Sequence, residues 1–442
     1  MPRVISIFGT MRSLLLLIFS CCTLAVWAGP VLQGQIIAEQ GKLPSKIRIA
    51  SFLHQQNVDS IEVNSFGSFT YQLKETVPVL YRLQSEYSGY SFFVHPSEKT
   101  VRLNLIIKNG TISEAYVEDS QQDKAYKSFS KMLETFDMGM AQAIELGIFD
   151  SLHVKVFQNF NDVLSNFATT YKGTYTADSL LPLRRFALNK DGSMPTVKQY
   201  AQGFFNKVNF KDTTLLATPV YGNMVDFFAK GLNEALTETE RTDALSNLMA
   251  KAKSSTVFYK YTADRIFTAA VNGEEEAMSI AFVSWVVTKG DAAKLSDIHA
   301  QAKMLLPTMP GKRFKEVIVG KDSLSAAVAN NKYTLLMFWE NTSPYCRIVL
   351  PEVKRTYDAF HTKGFEVFSI AVDTDTTTVN EYLAEQKANW PAVTITDGKN
   401  PAIKQYAIDE LPVLVLVNQQ GIIERRFSGI AAIDRYLRAA LK

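Results

Sequence analysis

Cysteine is scarce in this sequence, which holds three among 442 residues: Cys21, Cys22 and Cys346. The first two fall in an apolar amino-terminal run with the features of an export signal, so removal of that run leaves a single thiol. A chain with one thiol cannot close an internal disulfide bond, which excludes a framework of structural disulfides. Any thiol chemistry would need a partner thiol from another molecule.

A large excess of positive or negative charge is also lacking. Lysine and arginine number 47, aspartate and glutamate number 44, and the formal net charge is +3. This balance provides no strong field for nucleic acid or for an anionic membrane surface. The histidines and cysteines do not fall at the spacings that hold a metal ion, so we expect no metal and no other cofactor. Low-complexity tracts are absent, and the length suggests two or three globular domains.

The longest apolar run extends from Leu14 to Trp27, after a basic start and before Ala28. This order is typical of a secretory signal peptide, here residues 1–28 with cleavage after Ala28. The run of about fifteen apolar residues is shorter than the roughly twenty that span a bilayer, so we expect no transmembrane segment after signal removal. The alternative is a membrane-anchored lipoprotein, with the lipid on Cys21 or Cys22.

Hydrophobic periodicity divides the rest of the chain into three predicted domains. Residues 29–113 carry short alternating runs separated by turn residues, which predicts a small antiparallel β-domain. Residues 114–308 repeat apolar residues at intervals of three and four, which predicts an α-helical domain. Residues 309–442 alternate strand and helix patterns and end in a hairpin and a closing helix. That order predicts an α/β fold with a central sheet covered by helices on both faces.

The last domain contains the one segment with a chemical motif, FWENTSPYCRIVLPE at residues 338–352. It ends a predicted strand and begins a helix, with two residues between Ser343 and Cys346. This segment resembles the active site of the TlpA/ResA-like thioredoxin family, in which the turn between strand and helix carries Cys-x-x-Cys. The residues that carry the wider resemblance are Phe338-Trp339, Cys346-Arg347, Pro351-Glu352, Asp373, Trp390, Tyr406 and Leu411-Pro412.

The resemblance implies a thioredoxin-like fold for residues 309–442 and a relation to exported thiol-disulfide oxidoreductases. The order of a β-domain, a helical region and a thioredoxin-like domain is similar to a multidomain form of Bacteroidetes-type periplasms, so a periplasmic location is expected. Pro412 corresponds to the family's cis-proline. In the family the residue before this proline, here Leu411, faces the active-site turn and pairs with extended peptides.

Ser343 stands where a dithiol enzyme has its attacking cysteine. A serine hydroxyl stays protonated near neutral pH and cannot exchange disulfides, although it can cap a helix. Cys346 corresponds to the resolving cysteine, which is less exposed in this family, and a buried structural cysteine is inert. Val349 and Met337 occupy two positions where many relatives carry a carboxylate. Loss of the nucleophile together with these acids predicts a degenerate site that no longer performs dithiol exchange.

Two functions are left open by these residues. The favoured hypothesis is a binding or accessory module for exported polypeptides. Its peptide-facing surface would contain Trp339, Pro344, Tyr345, Leu411 and Pro412. The alternative is a single-thiol redox protein in which Cys346 forms mixed disulfides with small thiols or a partner thiol protein. A peroxiredoxin-like form of this alternative fits Ser343-x-x-Cys346 but lacks that family's upstream proline, since Trp339 stands there. The sequence does not predict an oligomeric state.

Overall fold

The computed structural model describes residues 29–152, 154–232, 235–271, 276–319, 322–373, 375–396, 400–408, 410–427 and 430–441. The predicted signal peptide, with Cys21 and Cys22, lies outside these residues. Within the described ranges no helix is long and apolar enough to cross a membrane.

The chain forms two compact units. Among the described residues, the first contains those of 29–130, 168–180 and 216–218, and the second contains those of 131–167, 181–215 and 219–441. The domain boundaries predicted after residues 28, 113 and 308 stay a prediction.

Two sheets make up the amino-terminal part of the first unit. Their strands are β1 (Val31–Gln40), β2 (Lys46–Ser51), β3 (Asp59–Glu62), β4 (Ser68–Gln72), β5 (Val79–Gln84), β6 (Gly89–Val94), β7 (Thr100–Lys108) and β8 (Thr111–Glu118). One sheet has the order β4-β1-β7-β8 and the other has the order β3-β2-β5-β6. The predicted antiparallel character is confirmed except that β1 and β7 run parallel. Alternating hydrophobicity reports which face is buried but carries no information on strand direction.

Alternation along β7 shows how these strands form a core. Leu103, Leu105 and Ile107 are each at most 1% exposed, and the residues between them are more accessible. The helix that follows is fastened to the second sheet, because the buried carboxylate of Asp123 accepts a 2.8 Å hydrogen bond from the backbone N–H of Phe93. The first unit therefore has a conventional apolar core with one buried, hydrogen-bonded acid at its helix start.

Helices fill the middle of the chain, as the periodicity predicts. They are α1 (Gln121–Glu145), α2 (Val154–Thr170), α3 (Leu181–Arg184), α4 (Val197–Gly203), α5 (Pro219–Phe227), α6 (Glu238–Ala252), α7 (Thr256–Val271), α8 (Glu276–Lys289) and α9 (Ser296–Leu305). Short 3-10 segments lie at Phe52–His54, Phe149–Ser151, Thr213–Ala217, Leu306–Thr308 and His361–Lys363, and π-helical segments lie at Thr176–Leu180 and Phe228–Leu232. Thr196 and Thr237 begin α4 and α6 with reciprocal capping boxes.

The carboxy-terminal part alternates strands and helices around a five-stranded sheet. Its elements are β9 (Ile318–Val319), β10 (Asp322–Ser323), α10 (Leu324–Asn330), β11 (Tyr333–Trp339), α11 (Pro344–Phe360), β12 (Phe365–Val372), α12 (Thr376–Glu385), β13 (Ala392–Ile395), α13 (Pro401–Gln405), β14 (Val413–Asn418), β15 (Ile423–Phe427) and α14 (Ile430–Ala440). The sheet order is β13-β12-β11-β14-β15. β11, β12 and β13 are mutually parallel, whereas β14 and β15 add antiparallel strands on the other side.

Both faces of this sheet are covered. Leu335, Met337 and Trp339 of β11 point into a core shared with α11, α12 and α14. Leu336 and Phe338 point into a second core shared with α10 and α13. The predicted fold class is confirmed: a thioredoxin-like α/β domain follows an amino-terminal β region and a helical middle region.

Candidate functional site

The candidate site lies where β11 leads into α11. Phe338 pairs with Val413 of β14, and Trp339 pairs with Ala371 of β12. Continuing the β11–β14 register by one residue places Pro412 beside Trp339. The peptide bond between Leu411 and Pro412 is cis. The turn and the proline that the sequence singled out therefore lie at the same end of two adjacent central strands.

Ser343 begins α11 as its N-cap. Its backbone is extended, with φ −75° and ψ 119°, and its hydroxyl accepts a 3.4 Å hydrogen bond from the backbone N–H of Cys346. Pro344 occupies the first helical position, where a missing N–H leaves no hydrogen bond unmade. The group at the nucleophile position thus stabilises the helix terminus, as its residue type predicts.

Cys346 is a free thiol with a relative exposure of 0%. It belongs to the core beneath α11, together with Met337, which is 0% exposed, and Val349, which is 4% exposed. Positions 337 and 349, where many relatives carry a carboxylate, thus hold apolar side chains that pack in the same cluster as the Cys346 thiol. Neither of these side chains can accept a proton from Cys346.

The prediction that Trp339 contributes to a peptide-facing surface is wrong. Its side chain is 0% exposed and its ring lies 6.0 Å from that of Tyr382, measured between centroids. As the last residue of β11, Trp339 lies on the same face as Leu335 and Met337, which is the face covered by α11, α12 and α14. Its indole Nε1 is buried and has no hydrogen-bond partner among the described residues.

The other predicted surface residues are accessible to different degrees. Pro344 is exposed and Tyr345 is 51% exposed, whereas Leu411 and Pro412 are partly buried. Ile348 was missed by the sequence reasoning, although it lies one turn after Tyr345 and is 65% exposed. The spacing of three residues between them is the signal that could have revealed it. Pro344, Tyr345 and Ile348 are hereafter the α11 surface.

A second feature that the sequence reasoning missed is a brace around Arg347. Pro351 lies inside α11 and lacks the N–H that would bond to the Arg347 carbonyl. The hydroxyl of Tyr382 donates to this carbonyl instead, at 3.3 Å. Burial raises the pKa of Tyr382, so the hydroxyl keeps the proton that it donates. A proline at this helical position was the signal for a substitute donor.

The guanidinium of Arg347 extends the brace in two directions. It lies 4.9 Å from the centre of the Tyr382 ring, and its Nε donates a 2.8 Å hydrogen bond to the backbone carbonyl of Asn341. The backbone N–H of Asn341 in turn donates a 3.1 Å hydrogen bond to the carboxylate of Asp373. The turn before Ser343 is therefore fixed to α11, α12 and the end of β12.

This arrangement limits the available chemistry. It presents a capping hydroxyl and a buried single thiol, and a second thiol that could close a disulfide is absent from the sequence after Cys22. In the part of the chain that the structure describes, no group of three or more His, Cys, Asp or Glu side chains could hold a metal ion.

Comparison with known proteins supports this description of the fold. Residues 330–423 match a family model described as Thioredoxin-like. The sporulation thiol-disulfide oxidoreductase A of Bacillus subtilis is 28% identical over 129 residues, which cover 28% of this chain and 76% of that protein. The carboxy-terminal part of the chain is thus a thioredoxin-like domain with homologues among thiol-disulfide oxidoreductases.

The chain is also similar to solved structures. A thioredoxin-like protein from Bacteroides caccae is 16% identical, with a TM-score of 0.49, and the match covers 57% of this chain and 97% of that one. The thioredoxin domain of a thiol-disulfide oxidoreductase from Bacteroides vulgatus is 22% identical, with a TM-score of 0.28, and covers 30% of this chain and 98% of its own.

Proposed function

We propose that this protein is an exported thioredoxin-like binding module that does not perform dithiol exchange and that holds exported polypeptides. The observation that carries the proposal is the complete burial of Cys346 beneath a serine-capped helix. Thiol-disulfide exchange requires a thiolate that can approach a disulfide sulfur, and a buried thiol lacks that access. The side chain at the exposed helix terminus, Ser343, offers no thiolate.

The α11 surface supports a binding role. Tyr345 and Ile348 are apolar side chains that remain more than half exposed on the first two turns of a helix held in place by the Arg347 brace. Exposed apolar residues grouped on a rigid element are typical of interaction sites. Leu411, which packs partly against both cores of the domain, adds backbone beside the same turn. An extended segment would contact this backbone and the α11 surface together.

Binding is tested with an extended polypeptide that cannot exchange disulfides, the insulin B chain with carboxymethylated thiols and a fluorescent label. Because aromatic residues at the centre of an interface contribute most of its binding energy, Tyr345→Ala should weaken binding about tenfold in fluorescence anisotropy. Met138→Ala is the matched control, since Met138 is 67% exposed on α1. The absence of wild-type binding, or an equal loss in both variants, would refute the proposal.

The single-thiol alternative predicts a different result for the same protein. If Cys346 forms mixed disulfides, the wild type should be captured covalently by oxidised glutathione without denaturant, and Cys346→Ser should abolish that capture. The binding proposal expects no adduct in the native state and unchanged B-chain affinity for Cys346→Ser. Mass spectrometry of the intact native protein distinguishes the two, and a stoichiometric adduct would favour the alternative.

Export to the periplasm and membership of the TlpA/ResA-like subfamily belong to this proposal. They rest on the apolar run before Ala28 and on the motif residues around Cys346. Fusion of residues 1–28 to a reporter should deliver it to the periplasm and leave a mature chain that begins at position 29. A mature chain that begins with a lipidated Cys21 or Cys22 would instead identify a lipoprotein.

A further inference from the structure

A cavity lies in the helical part of the second unit, beside α3 and α4. Its volume is about 230 Å³, and Leu183, Phe186, Tyr200 and Phe204 form much of its wall. Drug-sized ligands occupy cavities of roughly 300–1,000 Å³. An occupant of this cavity would therefore be a smaller molecule. No residue of this region takes part in the function proposed above.

The charge of the lining is of one sign. Arg184, Arg185 and Lys207 all line the cavity, and no aspartate or glutamate is among its lining residues. The amino group of Lys207 donates a 3.2 Å hydrogen bond to the carbonyl of Arg185. Burial, and after it the charge of Arg185, lowers the pKa of Lys207. An anion among these groups would offset their mutual repulsion.

Arg184 provides an unused hydrogen-bond donor at this place. Its side chain is 2% exposed, and its Nη2 forms an ion pair with Asp137. The other terminal nitrogen, Nη1, is buried and has no hydrogen-bond partner among the described residues. A guanidinium is always charged and its N–H groups require acceptors when they are buried. Asp137 accepts a hydrogen bond from Nη2 of Arg184, whereas Nη1 has no acceptor among the described residues.

Apolar walls stand next to these cations. Phe186 and Phe204 are at most 8% exposed, and their rings are linked through Tyr200 at centroid distances of 4.9 and 5.4 Å. The Arg184 guanidinium lies 5.6 Å from the centre of the Phe204 ring. The cavity therefore offers both aromatic walls and charged groups, and in a small-molecule site such polar groups fix the orientation of the ligand.

We propose that this cavity binds a small organic carboxylate. Its carboxylate group would accept hydrogen bonds from the cluster of Arg184, Arg185 and Lys207. Its hydrocarbon part would lie against Phe186 and Phe204. The helical region is then a ligand-binding region with a role separate from that of the α11 surface.

The test uses the full chain and two probes of the same shape, benzoate and the neutral benzamide. Calorimetric titration should detect benzoate with a dissociation constant on the order of 1 mM, a value suited to a small ligand. Benzamide should bind at least about tenfold more weakly because it lacks the charge that the cations recognise. No benzoate binding up to about 50 mM, or equal binding of both probes, would overturn the proposal.

Variants then locate the site. Lys207→Gln should weaken benzoate binding about fivefold or more, because it removes one charged donor. Lys190→Gln removes the same charge from an exposed residue that does not line the cavity, and it should leave the affinity unchanged. Arg184 is left intact, since loss of a buried ion-pair partner destabilises the fold. Equal weakening in both variants would mean that benzoate responds only to overall charge and would contradict the assigned site.

Discussion

At position 343 a single side chain decides what the turn before α11 can do. The hydroxyl of Ser343 holds the N–H of Cys346 at 3.4 Å and has no means of forming a disulfide. A thiol at the same place would sit over the first turn of a helix, where N–H groups favour a thiolate. The difference between a capping residue and a nucleophile is thus one atom in an otherwise retained turn.

Ser343→Cys should therefore restore a disulfide with Cys346. The side chain at position 343 reaches the backbone of residue 346, so the two sulfur atoms can approach with small adjustments of rotamer. After mild oxidation, the denatured variant should show no thiol reactive toward a chromogenic disulfide reagent, whereas the reduced variant should show both.

Thr342→Cys serves as the control, because its side chain is one residue away and exposed, so an internal disulfide is not expected. Two free thiols in oxidised Ser343→Cys would show that the turn no longer has a dithiol geometry.

At this site, the positions of some residues could be predicted from the sequence and those of others could not. The roles of Ser343 and the burial of Cys346 follow from motif position, because a strand-to-helix turn fixes which residue caps and which faces inward. Trp339 was misplaced because its position at a strand end says nothing about the helix that covers it. Tyr382 was missed since it joins the site from α12, and contacts between distant elements leave no local pattern.

At the scale of an element, α11 is stabilised from outside its own sequence. Its internal proline leaves the Arg347 carbonyl without a helical donor, and the Tyr382 hydroxyl replaces it. Loss of a neutral hydrogen bond of this kind costs about 1 kcal/mol. The cost should appear locally, at the amino-terminal half of the helix that presents the α11 surface.

Tyr382→Phe should thus increase deuterium uptake in peptides covering Pro344–Phe360, by a factor of about five for exchange through local opening. Tyr116→Phe is the matched control, because Tyr116 is 55% exposed on β8. Uptake in Pro344–Phe360 that is the same for both variants would show that the brace contributes nothing to the stability of α11.

Elements were predicted well where their own residues determine them. The alternation along β7 and the continuous apolar run of β11 are local patterns, so both strands could be derived from the sequence. The parallel pairing of β1 with β7 could not, because the two strands are far apart in the chain and pairing direction depends on the whole sheet.

At the scale of the whole molecule, buried tyrosines connect stability to pH. Burial raises the pKa of Tyr126 in the first unit and of Tyr357 in the second to about 12. An unfolded tyrosine has a pKa near 10. Between these values the unfolded chain releases protons that the folded chain retains, so stability is full below about pH 10 and is lost as pH rises toward 12.

The urea midpoint should therefore be lower at pH 10.5 than at pH 8 for both units, as followed by circular dichroism. Tyr357→Phe should make the loss smaller in the second unit and leave it unchanged in the first. Midpoints that stay constant or rise between the two pH values would show that these tyrosines have ordinary pKa values in the folded protein.

The molecule as a whole joins a thioredoxin-like domain, in which the cysteine-based site is incomplete, to a helical region with a cationic cavity and to an amino-terminal pair of sheets. The proposed binding role is based on this combination, because the one cysteine of the α/β domain, Cys346, is buried. The central claim therefore depends on the accessibility of Cys346.

Thiol titration tests this claim most directly. The chain from Gly29 onward contains Cys346 as its one cysteine, so a chromogenic disulfide reagent reports on that residue alone. We predict that the native protein reacts at least about 100-fold more slowly than the same protein in guanidinium chloride, where one thiol per chain should appear. Native Cys346 that reacts at pH 6 as fast as the unfolded chain would contradict the account and identify a single-thiol redox protein.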